Sequence, residues 1–292
     1  MRPCRARKET QLDLPLSATL MVLTAAVAHA TWNAIAHDIS DKVVAFFLLG
    51  LGGMIGALCV LVLASLPRAE AWPYLLASVV MHVVYTMLLM TSYRLGDFSQ
   101  VYPLARGTSP LIVTALAAVF IGEVPSLVVL IGVVVISAGL ASLMLAGGVP
   151  SRKSLPAVCA ALATGLSIAT YSTIDGAGVR ASGTAAGYTG WLILLESGVL
   201  VAYALVRRGP ALASQVRPHL WIGIFGGVLS VGAYGLVLWA QTRGALAPIA
   251  ALRESSIIVG ALIGTVFFHE RFGRPRVIAT AVVFVGIVLV VA

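Results

Sequence analysis

Arg106 stands inside an apolar run, with Tyr102 four residues before it and Ser109 three after. At helical pitch the three share one face. A cation within a bilayer costs roughly 2.5–3.5 kcal/mol unless something compensates it. Pro103, Gly107 and Pro110 weaken the backbone hydrogen bonding around it. A fixed guanidinium beside an opened helix backbone could hold a carboxylate. The alternative stays open that Arg106 snorkels to the interface or caps a neighbouring helix. A second polar knot, Arg253-Glu254-Ser255-Ser256, lies in a later apolar run. Adjacent helical residues point about 100° apart, so Arg253 and Glu254 each need a partner on another element. An ion pair locking two helices together satisfies them as well as a binding site does. Arg106 has no acid beside it and is therefore the better carboxylate anchor of the two.

Weaker polar faces accompany these knots. His82 and Tyr85 are three apart, as are His29 and Trp32, with Asn33 adjoining. Thr164, Ser167 and Tyr171 repeat at helical spacing, and Ser230, Tyr234 and Gln241 do so near Trp239. A histidine here is either hydrogen-bonded between helices or titratable near neutral pH. Glu196 is either a pairing acid or a proton site. If these faces converge, Trp32, Asn33, His82, Tyr85, Tyr102, Arg106, Ser109, Tyr171, Tyr234, Trp239, Arg253 and Ser256 line one cavity. Its aromatic walls suit amphipathic solutes.

The elements that carry these residues are ten apolar segments: 17–37, 43–65, 73–95, 99–121, 125–146, 154–175, 184–206, 218–242, 247–268 and 274–292. At about 1.5 Å per residue each can cross a hydrocarbon core of roughly 30 Å. Hydrophobic content of 60% with 10% charged residues excludes an ordinary soluble chain. The net charge of +8 raises nucleic acid as a partner, but the basic residues cluster at segment ends and in short loops, where lipid headgroups explain them. Cys4, Cys59 and Cys159 have no metal spacing, and we expect neither metal nor cofactor. Arg2, Arg5, Arg7 and Lys8 before the run ending Ala28-His29-Ala30 resemble a secretory signal. We expect it to be retained, because the second half opens with a counterpart. Trp72, Trp191 and Trp221 fit an interfacial belt. Gly52 and Gly56, and Gly132 and Gly139, suit close helix packing.

The halves echo each other. Arg106 aligns with Arg253, Ser109 with Ser256, Glu123 with Glu270, and Gly139 with Gly286, each 147 residues apart. Ala30-Thr31-Trp32 aligns with Ala169-Thr170-Tyr171. Five segments per repeat is an odd number, so the second repeat enters from the opposite side. The expected fold is all-α: a tail (1–16), a first five-helix repeat (17–146), a linker (147–153) and an inverted second repeat (154–292), forming a basket around a central cavity.

Ala30-Thr31-Trp32-Asn33, Val101-Tyr102-Pro103-Leu104-Ala105-Arg106-Gly107, Gly122-Glu123 and His269-Glu270 resemble the drug/metabolite transporter superfamily, EamA-like branch. The resemblance covers about 17–292 and is nearest to amino-acid exporters, including aromatic ones. It implies a secondary transporter of a bacterial-type inner membrane, exporting a small metabolite with both termini cytoplasmic. The four basic residues of the tail agree with that start, together with Arg68, Arg180 and Arg243. Lys42, Arg94, Arg152, Lys153, Arg207, Arg208, Arg217, Arg271, Arg274 and Arg276 vote the other way. The four-helix relatives use an acid in their first helix for proton coupling. None stands near the middle of the first segment here, so proton coupling is open and would need another site. A monomer satisfies all of this. The competing classes are a membrane enzyme, which would need an acid or metal cluster at one face, and a sensor or partner subunit, which would need an added domain. Neither feature is present, nor is a phosphate-cradling G-x-x-x-x-G-K-[ST] loop.

Overall fold

Pro15 opens α1 (Leu16–Asp38), and the Asp41 carboxylate caps α2 (Lys42–Leu63) by accepting from the Val43 and Val44 amides. The structure is a computed structural model and describes residues 14–95, 98–146, 154–267 and 273–292. The tail 1–13 with Cys4, the linker 147–153 and the His269-Glu270 pair lie outside the described residues. After a 3-10 turn come α3 (Trp72–Leu95) and α4 (Phe98–Leu116), which runs into a π-helical turn, Ala117–Ile121. Gly122, at φ 77°, ends it. Then follow α5 (Leu127–Ala146) and α6 (Leu155–Ser182), which stops at left-handed Gly183. Thr184 caps α7 (Ala185–Arg208) through the Gly187 amide. A short α8 (Leu212–Val216) leads to α9 (Leu220–Gln241), α10 (Leu246–Arg253), α11 (Ser256–Phe267) and α12 (Arg274–Val291). The described residues contain no strand.

Seven stretches among the described residues are long and apolar enough to cross a membrane. One of them, Ala185–Gln241, holds both α7 and α9. Leu127–Leu143 and Val277–Val291 are shorter apolar helices. Large apolar side chains such as Val62, Leu63, Val206 and Trp221 stand exposed, as a lipid-facing surface requires. This is a polytopic helical membrane protein.

Two segments differ from the sequence expectation. The sixth helix does not stop at Asp175 but continues to Ser182. Gly176 and Gly178 do not break it, because Leu246 and the ring of Tyr188 occupy the space that their side chains would fill. The ninth segment is two helices, α10 and α11. Between them, Ser255 N reaches Leu252 O at 3.0 Å and Ile257 N reaches Glu254 O at 3.0 Å, so the chain tightens to three-residue turns across the polar knot. α4 keeps helical conformation through Pro103 and Pro110, so the loosening near Arg106 is confined to the carbonyls whose i+4 donors those prolines lack. Packing on α5 holds the helix, because a methyl group on Gly107 would lie 2.8 Å from Leu140 Cβ.

The helices meet in definite pairs. α2 packs on α7 and α9, α3 on α6 and α7, α1 on α9 and α11, α4 on α5 and α6, and α5 on α12. Where α2 crosses α9 the backbones touch: a methyl group at Gly227 would overlap the Leu49 carbonyl and lie 2.7 Å from Gly52 Cα. Gly132 and Gly286 make the same kind of contact between α5 and α12, each bringing a methyl position to 2.9 Å from the other's carbonyl oxygen. Gly227→Val is expected to force the two helices apart and cost about 1–3 kcal/mol, the range for overpacking a filled interior. Thermal unfolding of the purified protein reads the loss. Gly232→Val on the same helix is the control, because nothing lies within 4 Å of that position.

Candidate functional site

Arg106 is buried on α4, and its partner comes from the other half of the chain. Its Nε donates to Glu254 Oε2 at 2.9 Å and its Nη2 to Ser256 Oγ at 3.2 Å. The residues that supply both acceptors follow the end of α10, where the tightened turn projects Glu254 and Ser256 towards α4. Arg253, equally buried, is left differently. Its Nε has no hydrogen-bond partner among the described residues, and neither have Glu254 Oε1, Ser255 Oγ and Ser109 Oγ. This pole therefore gathers two guanidiniums and one carboxylate. Tyr85, Tyr102, Tyr171 and His29 lie within electrostatic reach of both arginines.

A second buried cluster sits beyond Tyr171. The His82 ring stacks on Tyr171 with centroids 4.0 Å apart, and Tyr85 and Tyr234 meet Tyr171 edge-on. Asp175, one turn along α6, is fully buried. It accepts a hydrogen bond from Tyr188 Oη at 2.9 Å on one oxygen and from Tyr234 Oη on the other. Glu196 on α7 is half-buried and lies within electrostatic reach of His82 and Asp175. The sequence reading singled out His82, Tyr171 and Tyr234, but it missed Asp175 and Tyr188. Asp175 was passed over because it was placed at a helix end, where an acid is unremarkable. Its spacing of four from Tyr171 was the available signal.

The remaining expected residues divide. Trp32 packs edge-on against His29 at 5.0 Å, and Asn33 donates to the His29 carbonyl of its own helix. Trp239 is drawn elsewhere, since the Arg243 guanidinium lies over its ring at 4.5 Å. Trp72 and Trp191 pair with each other, with centroids 5.5 Å apart.

One end of the bundle is tied by a further network. Arg180, near the end of α6, donates to Glu123 at 2.5 Å, to the Gln241 carbonyl at 2.8 Å and to the Gly244 carbonyl at 2.8 Å. Glu123 in turn accepts from the Leu246 amide at 2.8 Å. The clasp joins α6, the segment after α4 and the α9–α10 turn. Arg180→Leu removes all three donors and is expected to cost about 1.5–3 kcal/mol, the scale of hydrogen bonds to a charged group. Glu123→Gln is expected to cost less, because one amide oxygen still accepts. Thermal unfolding of both variants checks the order.

The fold and the apolar helices define the class, and comparison with known proteins narrows it. The model of the EamA-like transporter family matches residues 155–292, the half that carries α6 to α12. That family consists of membrane transporters. No curated protein matches the chain. A solved structure titled "Crystal structure of protein" has the same fold, with a TM-score of 0.77 at 18% identity over 94% of this chain and 97% of that one.

Proposed function

We propose that the chain is a secondary transporter that exports a small zwitterion, foremost an amino acid, by alternating access. The observation that carries this reading is the buried charge layout around Tyr171. One pole has a surplus cation at Arg253. The other has the acids Asp175 and Glu196, and aromatic rings lie between them. A carboxylate at Arg253 and an ammonium at Glu196 would each find an opposite charge, and a hydrophobic side chain would find Tyr85, Tyr171 and Tyr234. Arg106 already has Glu254 and Ser256, so the anchoring role moves from Arg106 to Arg253. Ser109, with its unpaired hydroxyl, Tyr102 and Ser256 complete that pole.

The reading takes α1 to α5 and α6 to α12 as inverted five-helix repeats, α10 and α11 together counting as one span and α8 lying between spans. The reciprocity of the contacts supports it. α3 on α6 is answered by α9 on α1, α4 on α6 by α11 on α1, and α2 on α9 by α7 on α3. α2 with α7 and α5 with α12 are the self-paired contacts such an axis demands. A bacterial-type inner membrane, cytoplasmic termini and export are what the resemblance and the basic tail support, and a monomer is compatible with them.

Uptake of a panel of labelled amino acids into liposomes holding the purified protein, with and without a pH gradient, tests the reading. Saturable movement of at least one of them, absent from protein-free liposomes, is expected. No movement of any member would overturn it.

A further inference from the structure

We propose that the groove between α2, α3 and α7 binds one anionic phospholipid, with a hydrocarbon chain along its floor and the phosphate at its rim.

Phe46 of α2, Thr86 and Met90 of α3, and Leu200 and Tyr203 of α7 line this groove, and Lys42 stands at its rim. It holds about 270 Å³ of empty space. The lining decides the kind of occupant. Its floor is hydrocarbon, ring and thioether, and the Thr86 hydroxyl is already turned to the His82 carbonyl of its own helix at 3.0 Å. A polar solute laid there would lose its water and gain few partners. A methylene chain has no such loss, and Met90 offers it an unbranched side chain that fits irregular neighbours. The helices that form the groove also carry lipid-facing surface: Val84 and Met87 of α3 and Val199 and Val206 of α7 are exposed.

The groove stops short of the candidate substrate site. Thr86 follows His82 by one turn, and Leu200 follows Glu196 by one turn. The His82 ring belongs to the stack on Tyr171. A lipid in the groove is therefore seated beside that cluster and not within it.

The rim is basic. Lys42 begins α2, Arg94 lies in the last turn of α3, and Arg207 and Arg208 lie in the last turn of α7. Each helix that lines the groove thus meets this boundary with a cation. At this end of α1, α2, α3 and α7 the four cations outnumber the described acids, Asp38 and Asp41. Asp41 is already engaged, by Arg208 at 2.6 Å and by the amides that it caps on α2. Arg207 is carried by a wall of the groove. Its Nε donates to Tyr203 Oη at 3.3 Å, and its guanidinium lies over the Tyr203 ring at 5.7 Å. Among the described residues no carboxylate pairs with it. The Lys42 ammonium is steadied by the Ala36 and Ile39 carbonyls, to which it donates at 3.1 and 2.9 Å. Leu200 lies about 10 Å along α7 from Arg207. A phosphate level with Arg207 therefore places the first part of its acyl chain beside Phe46, Met90 and Leu200. A phosphodiester without an ammonium of its own suits such a rim better than a zwitterionic headgroup does.

Native mass spectrometry of the full-length protein tests the site. The protein is purified in detergent and given equal amounts of phosphatidylglycerol and phosphatidylcholine with the same chains. Retention of one phosphatidylglycerol is expected about tenfold more often than of phosphatidylcholine, the scale set by two cations near a headgroup. Lys42→Gln/Arg207→Gln is expected to erase that preference. Leu200→Trp, which fills the floor, is expected to lower retention of both lipids. Arg243→Gln, at the opposite end of the bundle, is expected to change neither. Equal retention of the two lipids by the unmodified protein would overturn the site, as would a preference that survives the double variant. Should the double variant fail to fold, phosphatidylglycerol with a photoreactive diazirine in its chain decides the matter on the unmodified protein. Crosslinks to Phe46, Met90 or Leu200 are expected, and crosslinks confined to other surfaces would overturn the proposal. Excess inorganic phosphate is expected to leave the lipid in place; its displacement would assign the rim to a free anion and overturn the lipid as occupant. None of these outcomes depends on which solute the protein carries.

Discussion

Replacing Glu254 by alanine is expected to be among the most damaging single changes in the protein. Its carboxylate is the acceptor for Arg106 Nε, and it stands beside Arg253, so its loss leaves two guanidiniums buried with no acid against them. Removing one member of a buried pair costs about 3–5 kcal/mol, because the stranded partner keeps its desolvation cost. The purified variant is expected to unfold at a much lower temperature, or to be recovered poorly from the membrane. The double variant Arg106→Met/Glu254→Leu removes the charges together and is expected to regain much of the loss. Arg207→Ala, on an exposed side chain, sets the baseline. A Glu254→Ala loss no larger than that baseline would contradict the ion pair described here.

The second large effect concerns affinity. Arg253→Gln is expected to raise the half-saturating concentration of L-phenylalanine by about 10- to 100-fold, since hydrogen bonds to a charged group contribute about 1.5–3 kcal/mol and each 1.4 kcal/mol is a factor of ten. Phenethylamine, which has the ring and the ammonium but no carboxylate, is expected to be affected far less. Arg106→Gln is expected to lower stability before it changes that ratio, because its guanidinium is already engaged. Equal losses for the two compounds in Arg253→Gln would remove Arg253 from the carboxylate role. Competition measurements in proteoliposomes separate these outcomes.

Much of the scaffold was legible in the sequence, because a lipid core imposes length and apolarity on every helix that crosses it. The apolar runs located α1 to α7, α9 and α12 to within a few residues at most of their ends. The broken ninth segment was not read, since Arg253-Glu254-Ser255-Ser256 fits a continuous helix as well as an interrupted one. The polar knots were visible as knots, but their wiring was not. Sequence spacing shows which residues share a face on one helix. It does not show that Glu254 rather than a ligand meets Arg106 across 148 positions. Asp175 was overlooked for a related reason: a helix boundary misplaced by seven residues turned a buried acid into a terminal one.

The glycine crossings have a mechanical side. Side chains that interlock hold two helices in a few discrete registers, and a shift means climbing from one notch to the next. Where Gly52 meets Gly227 the facing surfaces are bare backbone, whereas at Gly132 and Gly286 the side chains of Val290 and Ile136 press in beside the backbone contact. Bare backbone has few teeth. Under the proposed alternating access, the Gly52–Gly227 crossing would keep van der Waals contact while one helix pivots on the other. The core around Arg106 and Glu254 is the opposite, a keyed joint that holds one geometry. If the proposed alternating access holds, the smooth crossing marks where one helix would turn and the Arg106–Glu254 pair marks the joint it would turn about.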